Sequence, residues 1–254
     1  VTIQTAQARH SAVTEDYLKA IWSASEHAQR ESSEPSDSTA PDAGLTVNEL
    51  AARMGVVAST ASENVQRLKA QGLVTHEPYR KVHLTAQGRA VALGMIRRHR
   101  LLETYLHDKL DFTWDEVHEE AEILEHAVSD RLLRHLDKAL GHPARDPHGD
   151  PIPGEDGSIR TPEMILLTRL DEGSRAVVAR ISDDDPQALR ELEEAGIRLD
   201  VWVSIAGEGD GGARRVLVSP TDATALGESD GDGTVVELDA ARAALVSVAL
   251  IGEE

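Results

Sequence analysis

The sequence predicts a mainly α protein with a small β portion: a winged helix-turn-helix, a helical middle domain and a C-terminal SH3-like β-barrel. Three observations predict it. Apolar residues recur at helical spacing between cap signals as far as Leu140; one short alternating hairpin interrupts them near residue 80; and β-branched runs between Gly, Asp or Pro turns fill the last third. We place the winged head at residues 1–92, the helical domain at 93–146, a Pro-rich linker at 147–170 and the SH3-like domain at 171–254.

Composition limits the function classes. The 254 residues are enough for two or three small domains with cores of their own, and no apolar run approaches a membrane span. The N-terminus lacks a basic-then-apolar leader pattern, so the cytoplasm is expected. With no cysteine there is neither a disulfide framework nor a thiolate metal site. The net charge of −19 taken alone argues against nucleic acid, but its distribution does not: Gly44 to Leu110 holds ten Lys or Arg against five Asp or Glu. A basic block in an acidic chain can still meet phosphate through one face.

In chain order, Thr14 to His27 reads as a helix with Thr14 as cap and Tyr17, Leu18, Ile21 and Trp22 on its inner face. Residues 29–44 are polar, Ser- and Pro-rich, and read as a flexible insertion. Thr46 and Glu49 form a capping-box pattern for a helix that Gly55 closes. A second helix, Ser59 to Gln71, ends at Gly72; Leu73–His76 and Lys81–Leu84 then form a hairpin. Helix, turn, helix and hairpin in that order make the winged helix-turn-helix. Its second helix offers Ser59, Thr60, Ser62 and Glu63 to base edges and phosphates, and the wing offers Arg80 and Lys81, although each also suits an ordinary surface.

Thr85 to Asp108 reads as one long helix and Asp111 to Leu140 as a further pair, with Leu124, Val128, Leu132, Leu133 and Leu136 as a stripe for the core or a dimer seam. Pro143, Pro147, Pro151 and Pro153, with Gly149, Gly154 and Gly157, mark the linker. Strands are expected at 175–181, 200–205, 213–218 and 233–238, with a helix at 185–195.

Within this frame His118, Glu122, Glu125 and His126 stand out. At about 100° per residue, offsets of four, seven and eight place them in one helical stripe that could converge on one or two ions. Glu122 and Glu125 alone would also suit a solvated helix face. His118-Glu119-x-x-Glu122 is one residue from the zincin His-Glu-x-x-His pattern, so a metallohydrolase is an alternative; Glu stands where that chemistry needs a second His.

Four segments in order carry a resemblance: Thr14-Glu-Asp-Tyr-Leu-Lys-Ala-Ile21, Arg98-His-Arg-Leu-Leu-Glu103, Val117-His-Glu-Glu-Ala-Glu-Ile-Leu-Glu-His126 and His148-Gly-Asp-Pro-Ile-Pro-Gly154. With them the chain resembles the diphtheria-toxin-repressor family of metal-dependent transcriptional regulators, in its manganese-responsive branch with an SH3-like (FeoA-like) domain. The resemblance implies a primary metal site of Asp16, Glu122, Glu125 and His126, and an ancillary site of His99, Glu103, His118 and Asp185. The iron-responsive branch has Met and Cys where this chain has Asp16 and Glu122. Carboxylates are hard donors suited to Mn²⁺. Lys19 stands where the two-domain manganese regulators carry Glu, so their closely spaced metal pair is not expected.

The implied function is a Mn²⁺-activated repressor of metal-uptake and homeostasis genes, not an enzyme, acting as a homodimer on palindromic double-stranded operator DNA with no membrane and no small-molecule substrate. Fe²⁺ is the second candidate corepressor, and Zn²⁺, Co²⁺ or Cd²⁺ can substitute in vitro.

Overall fold

The computed structural model describes residues 10–31, 44–219 and 233–250, so most of the insertion expected at 29–44 lies outside the described residues. The chain divides into two compact units, Val1–Arg97 with Pro153–Ser158, and Arg98–Ile152 with Ile159–Glu254. Among the described residues no helix is long and apolar enough to cross a membrane.

The first unit begins with α1 (Ala12–Glu31). Its cap is Ser11, whose Oγ accepts the Thr14 N–H, and the expected cap Thr14 is instead buried inside the first turn. Tyr17, Leu18, Ile21 and Trp22 are buried as the spacing requires. Thr46 and Glu49 make both hydrogen bonds of the capping box at the head of α2 (Val47–Arg53), satisfying two N–H groups that the helix itself cannot. α3 (Ala58–Ala70) buries Ala61, Val65 and Leu68 and donates from Asn64 Nδ2 to the Tyr17 hydroxyl at 3.1 Å. The hairpin is shorter than expected. β1 (Val74–Thr75) pairs with β2 (His83–Leu84) over two positions, a bridge from Leu45 to Val82 widens it, and Tyr79, at φ 63° and fully exposed, forms the tip. α4 (Ala86–Leu110) follows, and Gly88 is needed there: a Cβ would meet the Leu73 carbonyl oxygen at 1.9 Å.

The second unit takes the rest of α4 with α5 (Val117–Leu124) and α6 (Asp130–Ala139), which Ser129 caps. Leu101, Leu102, Leu106, Val117, Ala121, Val128, Leu133 and Leu136 form its helical core. Of the expected stripe, Leu132 is exposed.

The β part is one antiparallel sheet in the order β3-β8-β4-β5-β6-β7: β3 (Ile165–Leu166), β4 (Arg175–Ile181), β5 (Trp202–Glu208), β6 (Arg214–Ser219), β7 (Thr234–Leu238) and β8 (Val246–Leu250). Helices α7 (Pro186–Glu194) and α8 (Ala240–Ala244) complete it. Four strands and α7 fall where expected. β8, a central strand, and β3 were not expected. β8 follows directly on the Ala-rich α8 without a Gly or Pro boundary, and β3 lies inside the segment read as linker.

That segment is not an extended tether. His148, Asp150 and Ile152 are buried, the Ile181 N–H donates to the His148 carbonyl at 2.9 Å, and Leu167 and Leu170 sit in the sheet core. Gly149, at φ 94°, lies so close to β4 that a Cβ would meet the Ala179 oxygen at 2.1 Å. Trp114 reaches the same apolar cluster from the loop before α5, so the helical and sheet parts of this unit share a core.

Candidate metal centre

One cluster of donors lies in the second unit between α4, α5 and the segment after β4. His99 and Glu103, one turn apart on α4, approach at 2.9 Å between Nε2 and Oε1. His118 Nδ1, from the first turn of α5, lies 3.3 Å from Glu103 Oε1 and 3.2 Å from His99 Nε2. Asp183 adds Oδ2 at 3.2 Å from the same His118 nitrogen. Neighbouring ligands of an octahedral hard cation held at about 2.1 Å stand about 3 Å apart, so this spacing fits a metal as well as it fits hydrogen bonds.

The cluster is orientated from behind. His99 Nδ1 donates to Glu125 Oε2 at 2.7 Å, so its Nε2 is turned towards Glu103 and His118 and would offer a lone pair to an ion held there. Glu125 and Glu103 are almost wholly buried, at 0% and 1% exposure. Burial pushes the Glu103 carboxyl up, but His99 and His118 outweigh it and hold it below the usual carboxylate range. Donating to the Asp183 and Glu103 carboxylates raises His118 to about 10. Burial likewise raises Asp183, and His118 outweighs it to bring the group below its usual value.

The expected residues fall into different places. His99, Glu103 and His118 are brought together; Asp185 is not with them. Its Oδ1 accepts the N–H groups of Gln187 and Ala188 as the cap of α7, so the carboxylate that reaches His118 is Asp183, two residues earlier. The run Asp183-Asp184-Asp185-Pro186 reads as a helix start, and that signal was correct for Asp185 alone.

The expected stripe from His118 to His126 runs past the end of α5. The helix ends at Leu124, Glu125 is its C-cap with φ and ψ still helical, and His126 lies in the following turn. Glu125 is buried, while Glu122 is exposed, 3.9 Å from His118 Nε2. His126 Nε2 lies 3.6 Å from Glu125 Oε1. Asp16 is half-buried on α1 of the first unit. On α3, Ser59, Thr60 and Glu63 are exposed and Ser62 half-buried; in the wing Arg80 is exposed and Lys81 half-buried.

Sequence reasoning missed a second layer under this cluster. Asp146, His148, Asp150, Arg100 and Arg180 are all buried; Arg180 Nε donates to Asp150 Oδ1 at 2.8 Å and Arg100 Nη1 to the Pro151 carbonyl at 2.8 Å. The available signal was the motif His148-Gly-Asp-Pro-Ile-Pro-Gly154, which carried the resemblance but no assigned chemistry.

Comparison with known proteins agrees with this architecture. Residues 85–154 match the iron dependent repressor family's metal binding and dimerisation domain, residues 38–81 the MarR family and residues 165–247 the FeoA domain. The iron-dependent repressor IdeR of Mycobacterium leprae (strain TN) is 34% identical over 174 residues, 62% of this chain and 76% of that protein. A solved manganese-dependent transcriptional repressor in complex with manganese is 44% identical, with a TM-score of 0.77, over 94% of this chain and all of the other. The structure of ScaR with bound Cd²⁺ is 28% identical, with a TM-score of 0.69, over 94% of this chain and 99% of the other. These relatives are repressors and not enzymes, and the metallohydrolase alternative falls. The chain belongs to the diphtheria-toxin-repressor family of metal-dependent transcriptional regulators.

Proposed function

We propose that the chain is a Mn²⁺-activated repressor of manganese uptake and homeostasis genes that binds palindromic operator DNA as a homodimer in the cytoplasm. The observation that carries this reading is the donor set. His99 Nε2, Glu103, His118 Nδ1 and Asp183 are nitrogen and oxygen ligands at metal-ligand spacing, and neither proposed site contains sulfur. His99, Glu103, His118 and Asp183 would hold the ancillary ion; Asp16, Glu122, Glu125 and His126 would hold the primary one. The likeness to a manganese-dependent repressor at 44% identity supports the same metal. Fe²⁺ is the alternative, and the iron-dependent relatives keep it open.

A bound divalent ion supplies positive charge that ties carboxylates on separate elements together. The chain's own residues do the rest. Glu125 fixes the His99 ring so that one nitrogen faces the cluster, and Asp16 on α1 would share an ion with Glu125 and His126, restricting α1 relative to α5. That restriction raises the fraction of dimers whose two heads are spaced for a palindrome. Ser59, Thr60, Ser62 and Glu63 would then read the major groove while Arg80 and Lys81 contact phosphate. Fluorescence anisotropy on DNA from the chain's own promoter region tests this: binding tightens at least tenfold when chelator is replaced by Mn²⁺, whereas equal affinity in both overturns it.

A further inference from the structure

The layer beneath the proposed ancillary site contains a histidine that nothing so far has used. His148 is 1% exposed and stacks on Trp114, with ring centroids 5.6 Å apart and planes 12° apart. Its Nε2 donates to the Trp114 carbonyl at 3.0 Å, which fixes the tautomer and leaves Nδ1 as a lone pair. That Nδ1 is buried and has no hydrogen-bond partner. Buried polar atoms are nearly always satisfied, so an orphaned lone pair needs a reason.

Its surroundings provide one. A ring nitrogen of His148, an oxygen of Glu103 and an oxygen of Asp146 lie within 4.8 Å of one another, and all three residues are buried. Nε2 is committed to Trp114, so Nδ1 is the nitrogen free to serve. Opposite ligands of an ion held at about 2.2 Å are about 4.4 Å apart, so three donors within 4.8 Å of one another need shift by only a few tenths of an ångström to share one ion. Asp146 is held in place by its own loop, since Oδ1 accepts the N–H groups of His148 and Asp150, both at 2.9 Å.

Charge points the same way. Glu103, Asp146, Asp150 and Asp183 crowd this layer, and Arg100 and Arg180 are the guanidinium groups among them. Arg100 Nε stands 3.5 Å from Asp146 Oδ2, and Arg180 Nε donates to Asp150 Oδ1 at 2.8 Å.

We propose that Glu103, Asp146 and His148 form a third divalent-cation site, buried beneath the ancillary site and joined to it through Glu103. Its two oxygens and one imidazole nitrogen suit Mn²⁺ or another first-row divalent ion, and the Trp114 carbonyl holds the histidine as outer partners hold metal ligands elsewhere. It lies beyond the two sites of the proposed function and uses two residues that belong to neither.

The test is a crystal of the full chain grown with Mn²⁺ and measured at the manganese absorption edge, together with ion counting on Asp146→Asn and His148→Phe. Asp146→Asn keeps the Oδ1 acceptor, and His148→Phe keeps the ring on Trp114. An anomalous peak between Glu103, Asp146 and His148 is expected, and each folded variant binds one ion fewer per chain. No peak there, or a hydrogen-bonded water at Nδ1 in its place, overturns the proposal, as does an unchanged count in a folded variant. Should both variants fail to fold, the wild-type map decides. Peaks at the other two sites without this one would refute the third site and leave the proposed function standing; a peak here alone would do the reverse.

Discussion

The two sides of α5 differ in how firmly they hold their donors. On the inner side Glu125, His99 and Glu103 are buried and joined by bonds of 2.7 and 2.9 Å, so each side chain is orientated by the next. On the outer side Glu122 is 46% and His126 24% exposed. Buried donors cannot be removed without leaving a partner's charge unpaired, whereas the half-exposed ones can change type at little cost to the fold. On the proposed function the inner side would supply rigidity, and the outer side would set the choice of metal while contributing its own ligands.

The largest effect expected on that contrast comes from Glu103→Ala. It strips the buried carboxylate from His99 and His118, so the metal-free chain should lose about 3 kcal/mol by chemical denaturation and the ancillary ion with it. A mild loss there would show that the inner side is not preorganised by charge. Next is Asp16→Met combined with Glu122→Cys, which should keep the fold and shift DNA-binding activation from Mn²⁺ towards Fe²⁺; an unchanged metal profile breaks the assignment of selectivity to the exposed positions.

Asp183 and Asp185 sharpen the contrast within one short segment. Asp183→Asn should weaken Mn²⁺ binding at least about tenfold in calorimetry, since even outer partners of a metal ligand are worth that much. Asp185→Ala should leave it unchanged and cost about 1 kcal/mol through loss of the α7 cap. The smallest effect is on pH. His118, raised to about 10 by Asp183 and Glu103, keeps its proton in the metal-free chain at neutral pH. Its folded value lies above the ordinary 6.5, so its stabilising charge is fully present below that and is lost as pH rises towards 10. In the proposed site Mn²⁺ would displace that proton, so affinity should rise with pH from about 6 to 9, with at least one proton released at this centre in buffers of differing ionisation enthalpy.

Local rules carried much of this. The capping box of Thr46 and Glu49, four strands and α7 were legible because caps, β-branched alternation and turn residues act over a few positions. What spacing alone could not give was long-range. Whether Asp183 or Asp185 reaches His118 depends on which one the α7 backbone occupies, 65 residues away from His118 in the case of Asp183. The helix hydrogen-bonding ends at Glu125 and His126 lies in the turn beyond, an end that no Gly or Pro announces. The Pro-rich segment read as a tether because its composition is that of one, yet His148 and Asp150 are buried against β4 and α4 by partners from both.

Isothermal titration of the full metal-free chain with Mn²⁺, repeated on Glu122→Ala, tests most directly whether these carboxylates and imidazoles form manganese sites. The wild type should bind more than one ion per chain, and Glu122→Ala, still folded, should bind one fewer while the ion at His99, Glu103, His118 and Asp183 remains. No binding heat, or the same stoichiometry and affinity in both proteins, would contradict it.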